Sequence, residues 1–241
     1  MEVHHHAEPH HKRKKFREYL FDFLMIFLAV TLGFFAETLR EHFGENSRAR
    51  ILAKSLFEDV CKDTADLNRI ITFSEAKIRS IEAARSMLEQ PRSEWNDSLI
   101  NFGFLQFVTA NEFDKTQGTY EQLKNSGSLR YFKQDLVDLL NAYDVTVSRT
   151  RQRDDLNNKV IVDVFFPAMI KKINFEPMYQ VMRHKPVTKP YYYNGFDDAG
   201  MKEVINFMNI SQRETDLALA QYNRLLEQGR EILASLKKEY D

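Results

Sequence analysis

The sequence predicts an all-α protein: an N-terminal transmembrane helix followed by an extracytoplasmic antiparallel bundle of long helices. Three observations predict it. Leu20 to Ala36 (LFDFLMIFLAVTLGFFA) is apolar or small at every position except Asp22 and Thr31. The remainder is charged and carries apolar residues at helical spacings, with no alternation long enough to make a sheet. Only 8 of the 241 residues are Gly and 6 are Pro, few for a turn-rich β fold. A mean hydropathy of -0.48 suits one apolar segment in an otherwise water-soluble chain, and excludes a polytopic membrane protein.

Taken in order, residues 1–18 form a His-rich and basic arm. Extended from Tyr19 to Leu39, the apolar stretch has roughly 20 residues, the length of helix that spans about 30 Å of hydrocarbon. A cleaved signal peptide would also start basic and continue apolar. The long arm, the Phe-rich core and an exit (GFFAETLREHF) without a small-x-small cleavage site disfavour it. Lys12, Arg13, Lys14, Lys15 and Arg17 precede the span, whereas Glu37, Arg40, Glu41, Glu45 and Arg48 follow it. Positive charge stays on the cytoplasmic side, so the N-terminus is expected inside and residues 40–241 outside. In a Gram-negative cell this means an inner-membrane protein with a periplasmic domain.

Within the span, Asp22, Ile26, Ala29, Gly33 and Ala36 recur every three or four residues and share one helix face. Ala29 and Gly33 are a small-xxx-small pair that admits a neighbouring helix. Phe23, Phe27, Phe34 and Phe35 are bulky enough to face lipid. Asp22 either snorkels to the interface or hydrogen-bonds across a helix pair.

Gly44 and Ser47 permit a hinge. From Leu52, apolar residues at Leu56, Val60, Leu67, Ile71, Ile78, Ile81 and Leu88 mark one long amphipathic helix, which Pro91 ends. Glu94 to Asn125 is aromatic (Trp95, Phe102, Phe104, Phe107, Phe113) and is expected to hold shorter helices. Ser126 and Gly127 read as a turn. A third helix is expected from near Ser128 toward Ile170, kinked by Pro167, which lacks a backbone donor. Asn174 to Gly200 is the long irregular stretch, either functional or packed as a lid. Its Tyr191, Tyr192 and Tyr193 are candidate partner or lid contacts, since tyrosine is favoured at interfaces. The last helix is expected over Met201 to Tyr240.

No chemistry stands out. A net charge of -1 with interspersed signs argues against nucleic acid as a partner. Of 7 histidines, His4, His5, His6, His10 and His11 lie in the arm, where a weakly basic tail is the simpler reading than a metal site. Only His42 and His184 remain, too little imidazole for a metalloenzyme or a His-based hydrolase. There is no phosphate-binding loop, dinucleotide fingerprint or nucleophile elbow. The single Cys61 cannot form an internal disulfide and reads as a partly buried residue of an amphipathic helix. No catalytic residue, metal, cofactor or small-molecule substrate is expected.

Two stretches, MEVHHH with its following basic run and FLMIFLAVTLGFFAETLREH, and TYEQLKNSGSLRYFKQDLVDLLNAYD, resemble a family of uncharacterised single-span bacterial membrane proteins. The resemblance implies the same topology and picks out Tyr120, Leu123, Lys124, Ser126, Gly127 and Leu129 as a Y-x-x-L-K-x-S-G-x-L segment. It implies no activity. Where such proteins commonly carry Glu at the start of the span, this chain has Asp22. On its own residues, the segment reads as a helix-turn-helix corner.

The functional expectation is therefore a non-enzymatic, membrane-anchored scaffold or accessory subunit. Its partners would be the lipid bilayer and either copies of itself or a larger membrane complex. The alternatives are a periplasmic helical sensor signalling through the span, and an oligomeric channel with Asp22 near the pore.

Overall fold

A computed structural model describes residues 16–109, 112–116, 118–170, 175–183, 185 and 197–240. Most of the described residues are helical, with no strand among them. The chain divides into two compact units, Met1–Arg50 and Ile51–Asp241.

Helix α1 (Phe16–Leu88) contributes to both. It does not stop at Gly44 or Ser47, where the sequence permits a hinge. One glycine costs a helix interior only about 1 kcal/mol, and the flanking residues, Glu37 to Glu45 above all, include strong helix formers.

In the second unit, α1 sets a seam. Leu56, Val60, Asp63, Leu67, Ile70, Ser74, Lys77, Ile81, Ala84 and Leu88 are all buried. Their spacing alternates four and three, the frame of helices packed side by side. A 3-10 turn (Arg92–Glu94) follows Pro91, and α2 (Asp97–Val108) starts where the Asn96 side chain accepts the Leu99 N–H at 3.1 Å. Next come α3 (Gly118–Asn125), a 3-10 turn (Ser128–Tyr131) and α4 (Gln134–Val160). A π turn (Ile161–Phe165) leads into the short α5 (Phe166–Met169); then come α6 (Glu176–Met182) and α7 (Asp198–Tyr240).

Pairings fix the directions. Arg85 of α1 donates to Asn209 and Gln212 of α7, each at 2.8 Å, while Thr64 lies against Gly229. α1 and α7 are therefore antiparallel. Phe132 and Tyr240 rings meet at 5.5 Å, as do Phe165 and Phe207, so α4 and α7 are also antiparallel. The segment from α2 to α3 descends along α1: Gly103 sits on Ala84, Lys77 reaches the Thr109 carbonyl, and Asp59 receives Thr119. It occupies the place of a second bundle helix but is not helical over residues 112–116.

Several boundaries differ from expectation. The third helix begins at Gln134, because Gly127 is left-handed (φ 68°) and Phe132 is extended. Near its far end, where a kink at Pro167 is expected, the α register gives way to the π turn. The missing donor and the ring are absorbed one turn earlier by the π turn, in which the Phe166 N–H reaches back to the Ile161 carbonyl. The expected irregular stretch contains α6. The last helix starts three residues earlier than Met201, because Asp197 accepts the Gly200 N–H at 2.8 Å and caps it.

Two apolar clusters result. One gathers Leu67, Ile70, Leu123, Leu136, Leu225 and Ile232; the other gathers Ile81, Ile100, Phe104, Phe165, Val204 and Met208. Full burial of each such side chain contributes about 1.5–3 kcal/mol.

Candidate functional site

The first unit presents the apolar stretch uncovered. Its mean hydropathy reaches 2.1 and none of that stretch is buried by the protein itself. Phe23, Ile26, Phe27, Phe34 and Phe35 are all exposed, and the Phe23 and Phe27 rings stack at 6.1 Å. This is one helix long and apolar enough to cross a membrane. Ile26, Ala29, Gly33 and Ala36 are exposed along it, Asp22 is half-exposed, and a methyl at Gly33 would meet nothing within 4 Å. Just beyond, Glu37 pairs with Arg40 and His42 with Asn46. No group of three His, Cys, Asp or Glu that could hold a metal occurs among the described residues. Tyr191, Tyr192 and Tyr193 lie outside the described residues, as do the arm histidines and His184.

In the second unit, buried polar residues interrupt the seam at two levels: Asp63 within the first apolar cluster, and the others between the two clusters. α1 contributes Asp63, Ser74 and Lys77. α4 contributes Thr146, Thr150 and Asp154. α7 contributes Ser211 and Thr215, all of them buried. The non-helical stretch between α2 and α3 passes both levels, with Thr109 at Lys77 and Thr116 at Asp63. Thr146, Thr150 and Thr215 satisfy their hydroxyls on carbonyls of their own helices.

The level of Asp63, nearer α3, is closed. Asp63 Oδ1 accepts the Thr116 backbone N–H at 2.8 Å and Oδ2 accepts the Tyr143 hydroxyl at 3.1 Å. One turn earlier, Asp59 Oδ2 accepts the Thr119 N–H and hydroxyl at 3.2 and 2.6 Å. Two carboxylates of α1 thus tie down the chain that leads into α3. Burial pushes the Asp63 carboxyl up, against the hydrogen bonds from Thr116 and Tyr143 and the charge of Lys115. Lys115 donates to Asp144 at 2.5 Å and lies 4.3 Å from the centre of the Tyr120 ring, with Lys124 at 5.8 Å from it. Burial pushes Asp144 up, but the hydrogen bonds and charges of Lys115 and Lys124 outweigh it and hold the carboxyl below its ordinary value. Tyr120 is pushed up to about 12, first by burial and then by Asp144. In the Y-x-x-L-K-x-S-G-x-L segment, Tyr120 and Leu123 are buried, Lys124 covers the ring, and Ser126–Gly127 make the corner.

The level between the two clusters holds a cavity of about 30 Å³, lined by Ser74, Lys77, Arg153, Asp154, Thr215 and Tyr222 among others. The Tyr222 hydroxyl donates to the Asp154 carboxylate and lies 3.0 and 3.1 Å from its two oxygens. Burial pushes Asp154 up to about 6; Tyr222 opposes that shift, and Glu112 and Asp155 add to it. Lys77 donates to the Thr109 carbonyl at 3.0 Å, and burial brings it down to about 8. Arg153 Nη1 reaches Glu214 at 3.2 Å, while its buried Nε has no partner. A space of this size admits one or two waters.

The apolar reading of α1 passed over Asp63, Ser74 and Lys77, since it followed Ile71 and Ile78 through that stretch. The signal was present: continuing the four-three spacing from Leu56 and Val60 to Ile81 and Ala84 lands on all three. Cys61 is half-buried on α1. No family model, curated protein or solved structure matches the chain.

Proposed function

We propose that this chain is a single-pass inner-membrane protein whose helix over residues 19–39 crosses the bilayer. The basic arm lies on the cytoplasmic side and the domain from Ile51 onward stands in the periplasm. It works as a non-enzymatic scaffold or accessory subunit that associates with itself or with other membrane proteins. The observation that carries this reading is the uncovered apolar stretch of α1, which water would solvate at a cost of about 25 cal/mol per Å². The charge difference across the span supports the orientation. The face of Ala29 and Gly33, open to close approach, supports association.

The test is purification from native membranes in mild detergent, followed by crosslinking and mass measurement. The proposal expects a homo-oligomer or a stoichiometric membrane partner, weakened by Gly33→Ile. A lone monomer with nothing co-purifying contradicts it.

The buried polar layer favours a second reading, a sensor domain signalling through the span. Four-helix arrangements build their ligand sites from core side chains on facing helices, and Lys77 and Asp154 are such side chains. A thermal shift of the protein with a small polar ligand, lost in Lys77→Met, would favour it over the scaffold.

A further inference from the structure

The level between the two clusters buries opposite charges that are not paired with each other. A carboxylate and an ammonium, Asp154 and Lys77, are each more than nine-tenths buried and border the same small cavity. Structures seldom bury charge without close pairing, because desolvation costs several kcal/mol per ion. Here the partner of Asp154 is a neutral hydroxyl, and that of Lys77 is a backbone carbonyl.

We propose that the cavity between α1, α4 and α7 is a proton-binding site, in which Asp154 takes up one proton from solvent and the helices close more firmly around the neutral acid. The proton forms an O–H bond on one carboxyl oxygen, and no other bond changes. The second oxygen keeps the Tyr222 hydroxyl as donor. The new O–H points a donor toward the cavity.

Each element packed against Asp154 brings a group that bears on its charge. α1 brings Lys77 across the cavity. The stretch before α3 brings Glu112, which is held by Asn158 and raises the affinity for a proton. α7 brings Tyr222, which favours the charged form, and Glu214, which is paired to Arg153. On α4 itself, Asp155 favours protonation and Arg153 opposes it. Desolvation outweighs the rest, so the folded protein binds this proton more tightly than the unfolded chain does. Acidification from about pH 7.5 to about pH 5.5 therefore stabilises the domain through this group.

The experiment uses the full chain in detergent micelles and measures the melting temperature across that range for the wild type and Asp154→Asn. The expected result is a wild-type Tm that rises by about 2–3 °C relative to the variant as pH falls. A difference between the two proteins that is independent of pH overturns the proposal. If Asp154→Asn does not fold, Tyr222→Phe decides the matter. It keeps the carboxyl and removes a donor to its charged form, so the midpoint of the carboxyl ¹³C chemical-shift titration of Asp154 must move to higher pH. A midpoint that is unchanged, or that already lies at the ordinary aspartate value in the wild type, overturns it.

Discussion

Gly103 of α2 lies so close to α1 that a Cβ there would stand 2.2 Å from the Ala84 Cβ and 3.1 Å from the Ser80 carbonyl oxygen. Neither atom belongs to a flexible side-chain end, so Gly103→Ala must push α2 off α1. Overpacking of this kind costs about 1–3 kcal/mol. The replacement also removes a glycine from a helix interior, which returns about 0.5–1 kcal/mol. The net expectation is a loss of about 1–2 kcal/mol. Ala84→Gly alone should lose about 1 kcal/mol of helix propensity plus about 0.8 kcal/mol for the buried methyl. The exchange Gly103→Ala with Ala84→Gly moves the methyl from one helix to the other. It should be more stable than the two single losses added together, by about 1–3 kcal/mol of coupling. Urea unfolding of the four proteins in the same detergent, followed by far-UV circular dichroism, reads the cycle. A Gly103→Ala protein as stable as the wild type, or an exchange that merely adds the two losses, would refute the close approach of α2 and α1.

Two further substitutions probe the two polar levels. Asp63→Ala strands the Thr116 N–H and the buried Tyr143 hydroxyl, at about 1–3 kcal/mol for each orphaned donor; a loss under 1 kcal/mol in urea unfolding would mean that Asp63 does not tie the α3 approach to α1. Lys77→Met removes a cation whose affinity for a proton is lowered by burial to about 8. The unfolded chain holds that proton up to about 10.4, so the native lysine destabilises the fold below about pH 8, and the deficit disappears as pH rises through that window. The variant should therefore be the more stable protein at neutral pH, by about 1–3 kcal/mol, with the advantage shrinking by pH 10. An advantage that grows with pH would reverse the sign of the account.

What the sequence reveals, and what it hides, follows from the kind of signal each element carries. The apolar stretch of α1 is legible because length and composition single it out: Leu20 to Ala36 is apolar enough to cross a membrane, and none of it is buried among the described residues. The Ser126–Gly127 corner is legible because a left-handed residue there needs glycine. The π turn is not, since proline announces a disturbed helix without saying which register absorbs it. The polar layer is hidden for a different reason. Lys77 and Asp154 occupy seam positions where an apolar residue is expected, and the apolar pattern read along α1 goes to Ile78 instead of Lys77. Sites that depart from local consistency in this way are the ones that sequence patterns miss.

The proposed function rests on residues 19–39 residing in the membrane, and single-cysteine labelling tests that most directly. Cys61 is the sole thiol, so Cys61→Ser supplies a blank background. Cysteines placed singly at Ile26, Val30, Phe34 and Glu45 are then exposed, in sealed vesicles and again after detergent, to a maleimide that does not cross membranes. The account predicts no labelling at Ile26, Val30 and Phe34 until detergent is added, with Glu45 labelled from one side only. Prompt labelling of all four in intact vesicles would contradict it.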